Sequence, residues 1–171
     1  TLNELAAALG DDANFSTTVT NSIATKAPLA SPSFTGDVVI TDDGAHLTWT
    51  IQALKVLKKQ RLFSAFGNSP MGYAFPASIG ASIALNKKKI ICIDGDGSIQ
   101  INLQELHTID KLKLPIKIFI LNNNGYGIIK QFQELYLGKR YEASGKGVSN
   151  PDFKKISQAF NINYNIIKNH K

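Results

Sequence analysis

The stretch KIICIDGDGSIQINLQELHTID, residues 89–110, decides the reading of the fold. Its first part, 89–94, is a short apolar run rich in isoleucine, which is typical of a buried strand. Its last part, 99–110, has the amphipathic pattern of a helix. Between them lies Asp94-Gly95-Asp96-Gly97-Ser98, where the two glycines allow the backbone to turn sharply. The stretch therefore predicts a strand, a tight loop and a helix in succession.

The same alternation continues on both sides of this stretch. We predict further strands at 38–41, 61–66, 115–121 and 163–168, and further helices at 47–56, 71–85, 126–137 and 152–160. Parallel strands need crossover connections, and helices of this kind supply them. The predicted fold class is α/β, with a parallel sheet that carries helices on both faces.

The loop after the strand at 89–94 has the composition of an anion-binding site. Gly95 and Gly97 let a ligand approach the backbone, and the start of the next helix directs N–H groups at an anion. Asp96 would repel a phosphate unless a divalent cation lay between the two. The loop thus predicts a site for a phosphate and a metal ion, although a solvent-exposed turn or a calcium loop could have the same sequence.

A second polar loop, Asn122-Asn123-Asn124-Gly125-Tyr126-Gly127, follows the predicted strand at 115–121. Ligands of α/β sheets bind at the carboxyl ends of the strands, so both loops lie at one edge if the strands are neighbours. Asparagine oxygens suit a hard cation such as Mg²⁺. We expect Asp96, one asparagine oxygen and a backbone carbonyl to bind the metal, together with phosphate oxygens and water. Asn122 and Asn124 could also be ordinary turn residues.

Together the two loops resemble the bipartite cofactor motif of thiamine-diphosphate-dependent enzymes of the acetolactate synthase type. The sequence reads GDGS and then LNNNGYG, with 27 positions from Asp96 to Asn123. The resemblance covers about 38–171 and implies thiamine diphosphate and Mg²⁺ as cofactors. It implies that Asp96, Asn123 and the backbone carbonyl of Gly125 bind Mg²⁺. The cofactor-binding residues that it implies further are Gly95, Gly97, Ser98 and Tyr126.

The upstream segment GNSPMGYAFPASIGASIA, residues 67–84, resembles the part of the same family that supports the bent cofactor. The resemblance implies that Met71 lies between the two cofactor rings and that the carbonyl of Ser69 accepts a hydrogen bond from the pyrimidine amino group. Phe75 stands where the family usually has leucine. Met71 by itself would more often be a core residue. The segment LQELHTI, residues 103–109, also resembles the helix after GDGS in these enzymes.

The resemblance implies an enzyme, a transferase or lyase that decarboxylates or joins small 2-keto acids and works as a homo-oligomer. In that family the activating glutamate comes from a separate pyrimidine-side domain, usually of another subunit, and this sequence has no candidate for that domain. We therefore expect no catalytic residue in this chain and no activity from it alone. The domain at 37–171 is also expected to be incomplete at its C-terminal end.

Residues 1–36 differ in composition from the rest, being rich in Ala, Thr, Ser and Asn. They resemble the linker-like repeats of bacteriophage tail fibres, and we place a domain boundary after residue 36. An alternative function follows, a structural tail-fibre protein that carries the second domain as a passenger and belongs to the virion.

Composition excludes several other classes. The formal net charge is +6, but the basic residues form short clusters at the ends of apolar runs and match no nucleic-acid-binding motif. No apolar run reaches the roughly 20 residues of a membrane-spanning helix. We expect a cytoplasmic protein without nucleic-acid or membrane partners. Trp49, Tyr126, Phe132 and Tyr136 are expected to be packing residues, with substrate contact as an alternative near Tyr126.

Overall fold

The computed structural model describes residues 37–168, in which strands alternate with helices. The strands are β1 Val38–Thr41, β2 Arg61–Phe63, β3 Ile90–Gly95 and β4 Ile116–Leu121. The α-helices are α1 Ala45–Ala53, α2 Ala74–Ala84, α3 Leu106–Leu112, α4 Gly127–Tyr136 and α5 Phe153–Ala159; a 3-10 helix, Ile99–Glu105, precedes α3. None of these helices is long and apolar enough to cross a membrane. The boundary at residue 36 and the tail-fibre resemblance concern residues outside this range and stay predictions.

The four strands form one parallel sheet in the order β2-β1-β3-β4. Val38 lies opposite both Arg61 of β2 and Ile90 of β3, and Ile90 lies opposite Ile116 of β4. The connections between successive strands contain the helices, as parallel pairing requires. The predicted α/β class with a parallel sheet is confirmed.

The centre of the sheet is covered on both faces. Val38 and Ile40 of β1 pack in a core cluster with Ile90 of β3 and Phe75 of α2. Val39 points to the opposite face and is still only 5% exposed. Phe75, at the position where the family resemblance leads us to expect leucine, is fully buried and fills this core. An apolar run without polar alternation, such as β1, is typical of a strand buried on both faces.

The helix predicted at 99–110 has two parts. Its first part is the 3-10 helix Ile99–Glu105 and its second part is α3. Within the 3-10 helix, Asn102 takes a non-helical conformation (φ −128°, ψ 29°). The side-chain amide of Asn102 donates a hydrogen bond of 2.6 Å to the carbonyl of Gly72, in the turn before α2. This contact with a distant turn competes with helical geometry, which the local pattern could not reveal.

The strand predicted at 163–168 is wrong. These residues form no strand, and Ile166 and Ile167 are 64% and 76% exposed. A strand requires a partner for its backbone N–H and C=O groups, and the described sheet ends at β4. The segment therefore has no strand partner within residues 37–168.

Replacing Ile90 by valine should lower the free energy of unfolding by about 0.5–1.5 kcal/mol, because the removed methylene leaves a gap in a closely packed core. Ile90 is fully buried, whereas Ile83 is 50% exposed. Ile83→Val is the matched control and should change stability by less than about 0.5 kcal/mol. Urea unfolding of both variants measures the difference. Equal losses would contradict the described core.

Candidate functional site

A pocket of about 100 Å³ lies where the loops after β1, β3 and β4 meet. These strands end at one edge because the sheet is parallel. With the exception of Ser69, every site residue predicted from the sequence lines the pocket. The lining residues among the predictions are Met71, Gly95, Asp96, Gly97, Ser98, Asn123, Gly125 and Tyr126. Ser69 is exposed in the turn before Met71, with a positive φ of 46°, and its role stays a prediction. The pocket brings together residues from three separate parts of the chain.

The loop after β3 is shaped by hydrogen bonds to its own side chains. The Asp94 carboxylate accepts the hydroxyl of Ser98 and the backbone N–H of Gly95, the latter at 2.8 Å. The Asp96 carboxylate accepts the N–H of Gly97 at 3.1 Å. Asp96 is only 3% exposed although it lines the pocket. The loop therefore holds a buried carboxylate at the base of an open site.

Two glycines allow the loops to approach each other closely. A Cβ atom at Gly97 would collide with the ring of Tyr126. A Cβ at Gly125 would lie 2.6 Å from the backbone oxygen of Ser144, which is closer than real Cβ contacts come. Only glycine fits at either position without a shift of its neighbours.

The asparagine loop is a turn stabilised by its own amides. The side-chain oxygen of Asn122 accepts the N–H of Asn124, and that of Asn123 accepts the N–H of Gly125, both at 3.2 Å. Asn124 has a left-handed backbone with φ 57°, which asparagine tolerates better than most residues. Asn122 and Asn124 are therefore turn residues, which is the alternative that the sequence left open. Asn123 belongs to the same turn and also lines the pocket.

Sequence reasoning missed a group of buried titratable residues beside this pocket. Asp42, His46 and Asp94 offer ligand atoms that all lie within 4.8 Å of one another. Asp42 accepts the N–H groups of Gly72 at 3.0 Å and Ala74 at 2.7 Å and so fixes the start of α2. Within the described residues, the Nε2 atom of His46 and the Oδ2 atom of Asp94 are buried without a hydrogen-bond partner.

Burial shifts the pKa values of two of these groups in the direction of the neutral form. Desolvation, and then the negative charge of Asp42, raise the pKa of Asp94 to about 7, against the lowering effect of its bonds from Ser98 and Gly95. Desolvation lowers the pKa of His46 below its ordinary value, although Asp42 and other carboxylates oppose this. Burial therefore favours the uncharged form of His46.

Asp94→Asn should change how stability depends on pH. The folded-state pKa of Asp94 is raised, so its contribution is fully present below the unfolded pKa near 4 and is lost as pH rises through about 7. The wild type should lose stability as pH rises from about 4 to about 7, because the buried Asp94 must then ionise, whereas the variant has no such group. The free energy of unfolding of the variant minus that of the wild type should therefore increase over this pH range, on the order of a few kcal/mol. Denaturant unfolding at pH 5 and pH 8 measures it.

The matched control is Asp37→Asn, which changes an exposed carboxylate outside the pocket. It should follow the pH dependence of the wild type. A constant difference between Asp94→Asn and wild type from pH 5 to pH 8 would contradict the raised pKa.

His46 and Asp96 together suit an anion and a cation bound side by side. A buried polar atom without a partner costs about 1–3 kcal/mol, and a pocket ligand could offer the Nε2 atom of His46 a hydrogen bond. The Asp96 carboxylate would repel an anion in the same pocket unless a cation screened it. The residues present therefore fit a phosphate group bound together with a divalent metal ion.

His46 and its neighbours could have been found from one signal in the sequence. The segment Asp42-Asp43-Gly44 directly follows β1 in the same way that Asp94-Gly95-Asp96 closes β3. Polar residues with glycine after a buried strand point to the ligand-binding edge. The general composition of the segment, however, is also typical of an ordinary turn.

The expectation that Trp49, Phe132 and Tyr136 are core packing residues is wrong for residues 37–168, although the rings of Phe132 and Tyr136 contact each other with centroids 4.9 Å apart. The three residues are 53%, 53% and 70% exposed. Trp49 lines the pocket together with Ile128 and Ile129 at the start of α4. Since the helices carrying these residues have no further layer over them within residues 37–168, their apolar side chains remain at the surface.

Comparison with known proteins identifies the family of this chain. The family described as "Thiamine pyrophosphate enzyme, C-terminal TPP binding domain" matches residues 42–171. The chain belongs to this family. Thiamine pyrophosphate is the same compound as thiamine diphosphate, so the resemblance stated from GDGS and LNNNGYG is confirmed.

Relatives of this thiamine pyrophosphate domain are acetolactate synthases. It is 45% identical over 131 residues to the acetolactate synthase large subunit of Pyropia yezoensis, covering 77% of this chain and 22% of that protein. It is 37% identical over 125 residues to the acetolactate synthase isozyme 2 large subunit of Escherichia coli K12, covering 73% and 23%. A probable acetolactate synthase large subunit of Methanococcus aeolicus is 36% identical over 125 residues, covering 73% and 21%. The chain spans about a fifth of the length of these relatives.

Proposed function

We propose that this chain is the Mg²⁺-dependent thiamine diphosphate-binding part of an acetolactate synthase-like enzyme, a transferase or lyase acting on small 2-keto acids. The observation that carries the proposal is that Asp96 and Asn123, from loops after two neighbouring strands, line one pocket with the glycine-rich loop. Its membership of the thiamine pyrophosphate family supports the choice of cofactor.

In the proposed metal site, Mg²⁺ is bound by the side chains of Asp96 and Asn123 and by the backbone carbonyl of Gly125. Oxygen ligands of this kind match the preference of Mg²⁺. All three residues line the pocket, and the low exposure of Asp96 strengthens its electrostatic interaction with a cation.

The diphosphate is proposed to lie against Gly95, Gly97 and Ser98. The absence of side chains at the two glycines leaves room for it beside the backbone. His46 is an added candidate, because its buried Nε2 atom has no partner among the described residues and its ring lines the same pocket. The Nε2 atom donates to a phosphate oxygen only when it carries a proton, and the negative charge of a bound diphosphate would favour the protonated ring.

Met71 is proposed to support the bent cofactor and the carbonyl of Ser69 to accept from its amino group, with Tyr126 at the pocket wall. Met71 is 38% exposed at the pocket, which agrees with a ligand contact better than with core packing. When bound, thiamine diphosphate would supply carbanion stabilisation for decarboxylation or carboligation of a 2-keto acid. The chain's own residues bind and orient it.

The exposed apolar residues beside the pocket are a proposed contact surface for the pyrimidine-side domain of another subunit. On α4, Ile129, Phe132 and Leu135 are 50%, 53% and 65% exposed, and Trp49 of α1 is 53% exposed. Contiguous exposed apolar residues mark protein interfaces more often than free surface. That domain would bring the activating glutamate, so the active enzyme is proposed to be a homo-oligomer in the cytoplasm.

Thiamine diphosphate with Mg²⁺ should stabilise the 171-residue chain, because a ligand that binds only the folded state raises its stability. At a cofactor concentration of 100 times Kd the gain is about 2.7 kcal/mol, and each kcal/mol raises Tm by about 2–4 °C in a protein of this size. Asp96→Asn should lose most of the Mg²⁺-dependent part. Thermal melting with and without Mg²⁺ measures the effect.

Asp37→Asn again serves as the control, since it removes one carboxylate outside the pocket and should respond to cofactor like the wild type. Absence of both binding heat and melting shift at millimolar cofactor with Mg²⁺ would argue against cofactor binding by this chain. A full response in Asp96→Asn would argue against the proposed metal ligand.

A further inference from the structure

Asn150 lies far along the sequence from both cofactor loops, yet its side chain meets them. Its amide nitrogen donates to Oδ2 of Asp96 at 2.6 Å. The same nitrogen is 3.1 Å from the side-chain oxygen of Asn122 and 3.3 Å from that of Asn124. One side chain thus connects the loop after β3 with the loop after β4.

Gln100 fixes the orientation of the Asn150 amide. The side-chain nitrogen of Gln100 donates to the backbone carbonyl of Asp96 at 2.8 Å and to the side-chain oxygen of Asn150 at 3.0 Å. A backbone carbonyl and an ionised carboxylate can only accept hydrogen bonds. The side-chain nitrogens of Gln100 and Asn150 must therefore both face Asp96. A flipped Asn150 amide would place its oxygen against the Asp96 carboxylate, where neither group could donate.

The segment that carries Asn150 is held on both sides. Ahead of it, the backbone oxygen of Ser144 accepts the N–H of Tyr126 at 2.9 Å, and the buried Ser144 hydroxyl donates to the side chain of Gln133 on α4 at 2.6 Å. Behind it, the Asp152 carboxylate caps α5 by accepting from Lys154 and Lys155. Hydrogen bonds therefore anchor the chain at Ser144 before Asn150 and at Asp152 after it.

We propose that Asn150 is a positioning residue for the metal site, holding the Asp96 carboxylate and the asparagine loop in the arrangement that binds Mg²⁺. The proposal rests on the proposed function. A carboxylate oxygen that accepts one hydrogen bond keeps another lone pair for a cation, and the bond fixes the direction in which that lone pair points. Partners of metal-binding carboxylates act in this way and change metal affinity when they are replaced.

The same bridge fixes the separation of the two loops. Without Asn150, Asp96 would keep its bond from Gly97, but nothing among the described hydrogen bonds would tie its carboxylate to the side chains of the asparagine loop. Both loops must present oxygens to one small ion, since Mg²⁺ demands near-ideal octahedral geometry. A looser pair of loops would bind the ion more weakly.

The test uses Asn150→Ala in the 171-residue chain, titrated with Mg²⁺ at saturating thiamine diphosphate by calorimetry. Loss of an outer partner of a metal ligand typically lowers metal affinity 10–100-fold, and we expect about tenfold. The melting temperature without cofactor should change much less than the Mg²⁺ midpoint. Asn163→Ala changes an exposed asparagine outside the pocket and should leave both values unchanged.

A purely structural role for Asn150 would give the opposite pattern, a lower melting temperature with an unchanged Mg²⁺ midpoint, and that result would overturn the proposal. If Asn150→Ala does not fold, Gln100→Leu keeps the side-chain volume while freeing the Asn150 amide, and should raise the Mg²⁺ midpoint severalfold. No change in Gln100→Leu would then overturn it. Failure of the wild type itself to bind Mg²⁺ and cofactor would instead reject the proposed function.

The hydrogen bonds can also be tested without any ligand. In the metal-free chain, the side-chain amide protons of Asn150 should exchange with solvent more slowly than those of Asn163, because both loops accept from Asn150. Nuclear magnetic resonance of the side-chain amides measures this. Equal exchange rates would contradict the bridge.

Discussion

The parallel pairing of β3 with both β1 and β4 is the constraint on which the site depends. Asp94 and Gly95 lie opposite Ile120 and Leu121, so β3 and β4 end at the same level and their loops leave the sheet side by side. β1 reaches the same edge, where the backbone N–H of Asp42 donates to the carbonyl of Ile93 at 2.9 Å. A shift of either ladder would separate the loops along the sheet edge.

The site places three buried carboxyl groups close to one pocket. Asp42, Asp94 and Asp96 are all nearly or fully buried, and each accepts several hydrogen bonds from nearby N–H or O–H groups. Burying carboxylates is costly unless they are paired, protonated or hydrogen-bonded. Asp94 meets this cost partly through its raised pKa, whereas Asp96 faces the pocket, where a cation would offset its charge. The buried carboxylate that is costly for folding would therefore favour a cation in the proposed site.

The apolar residues around the pocket have a related physical meaning. Trp49 of α1 and Ile128 and Ile129 of α4 line the pocket and are 53%, 42% and 50% exposed. Exposed apolar area costs free energy in water, and covering it would exclude water from the pocket. In the proposed oligomer, the pyrimidine-side domain of another subunit would supply that cover. Cofactor binding and assembly would then depend on the same surface.

The amino-acid sequence alone was sufficient for the α/β class, the strands at the centre of the sheet and the two loops that carry Asp96 and Asn123. These features are local: an apolar run, two glycines and a run of asparagines specify each loop within a few residues. Only the tertiary structure decided that His46 lines the pocket, that Trp49 is exposed, that residues 163–168 form no strand and that Asn150 meets Asp96. Each of these depends on partners distant in sequence, since a side chain's burial and hydrogen bonds follow from the path of the whole chain and not from its neighbours.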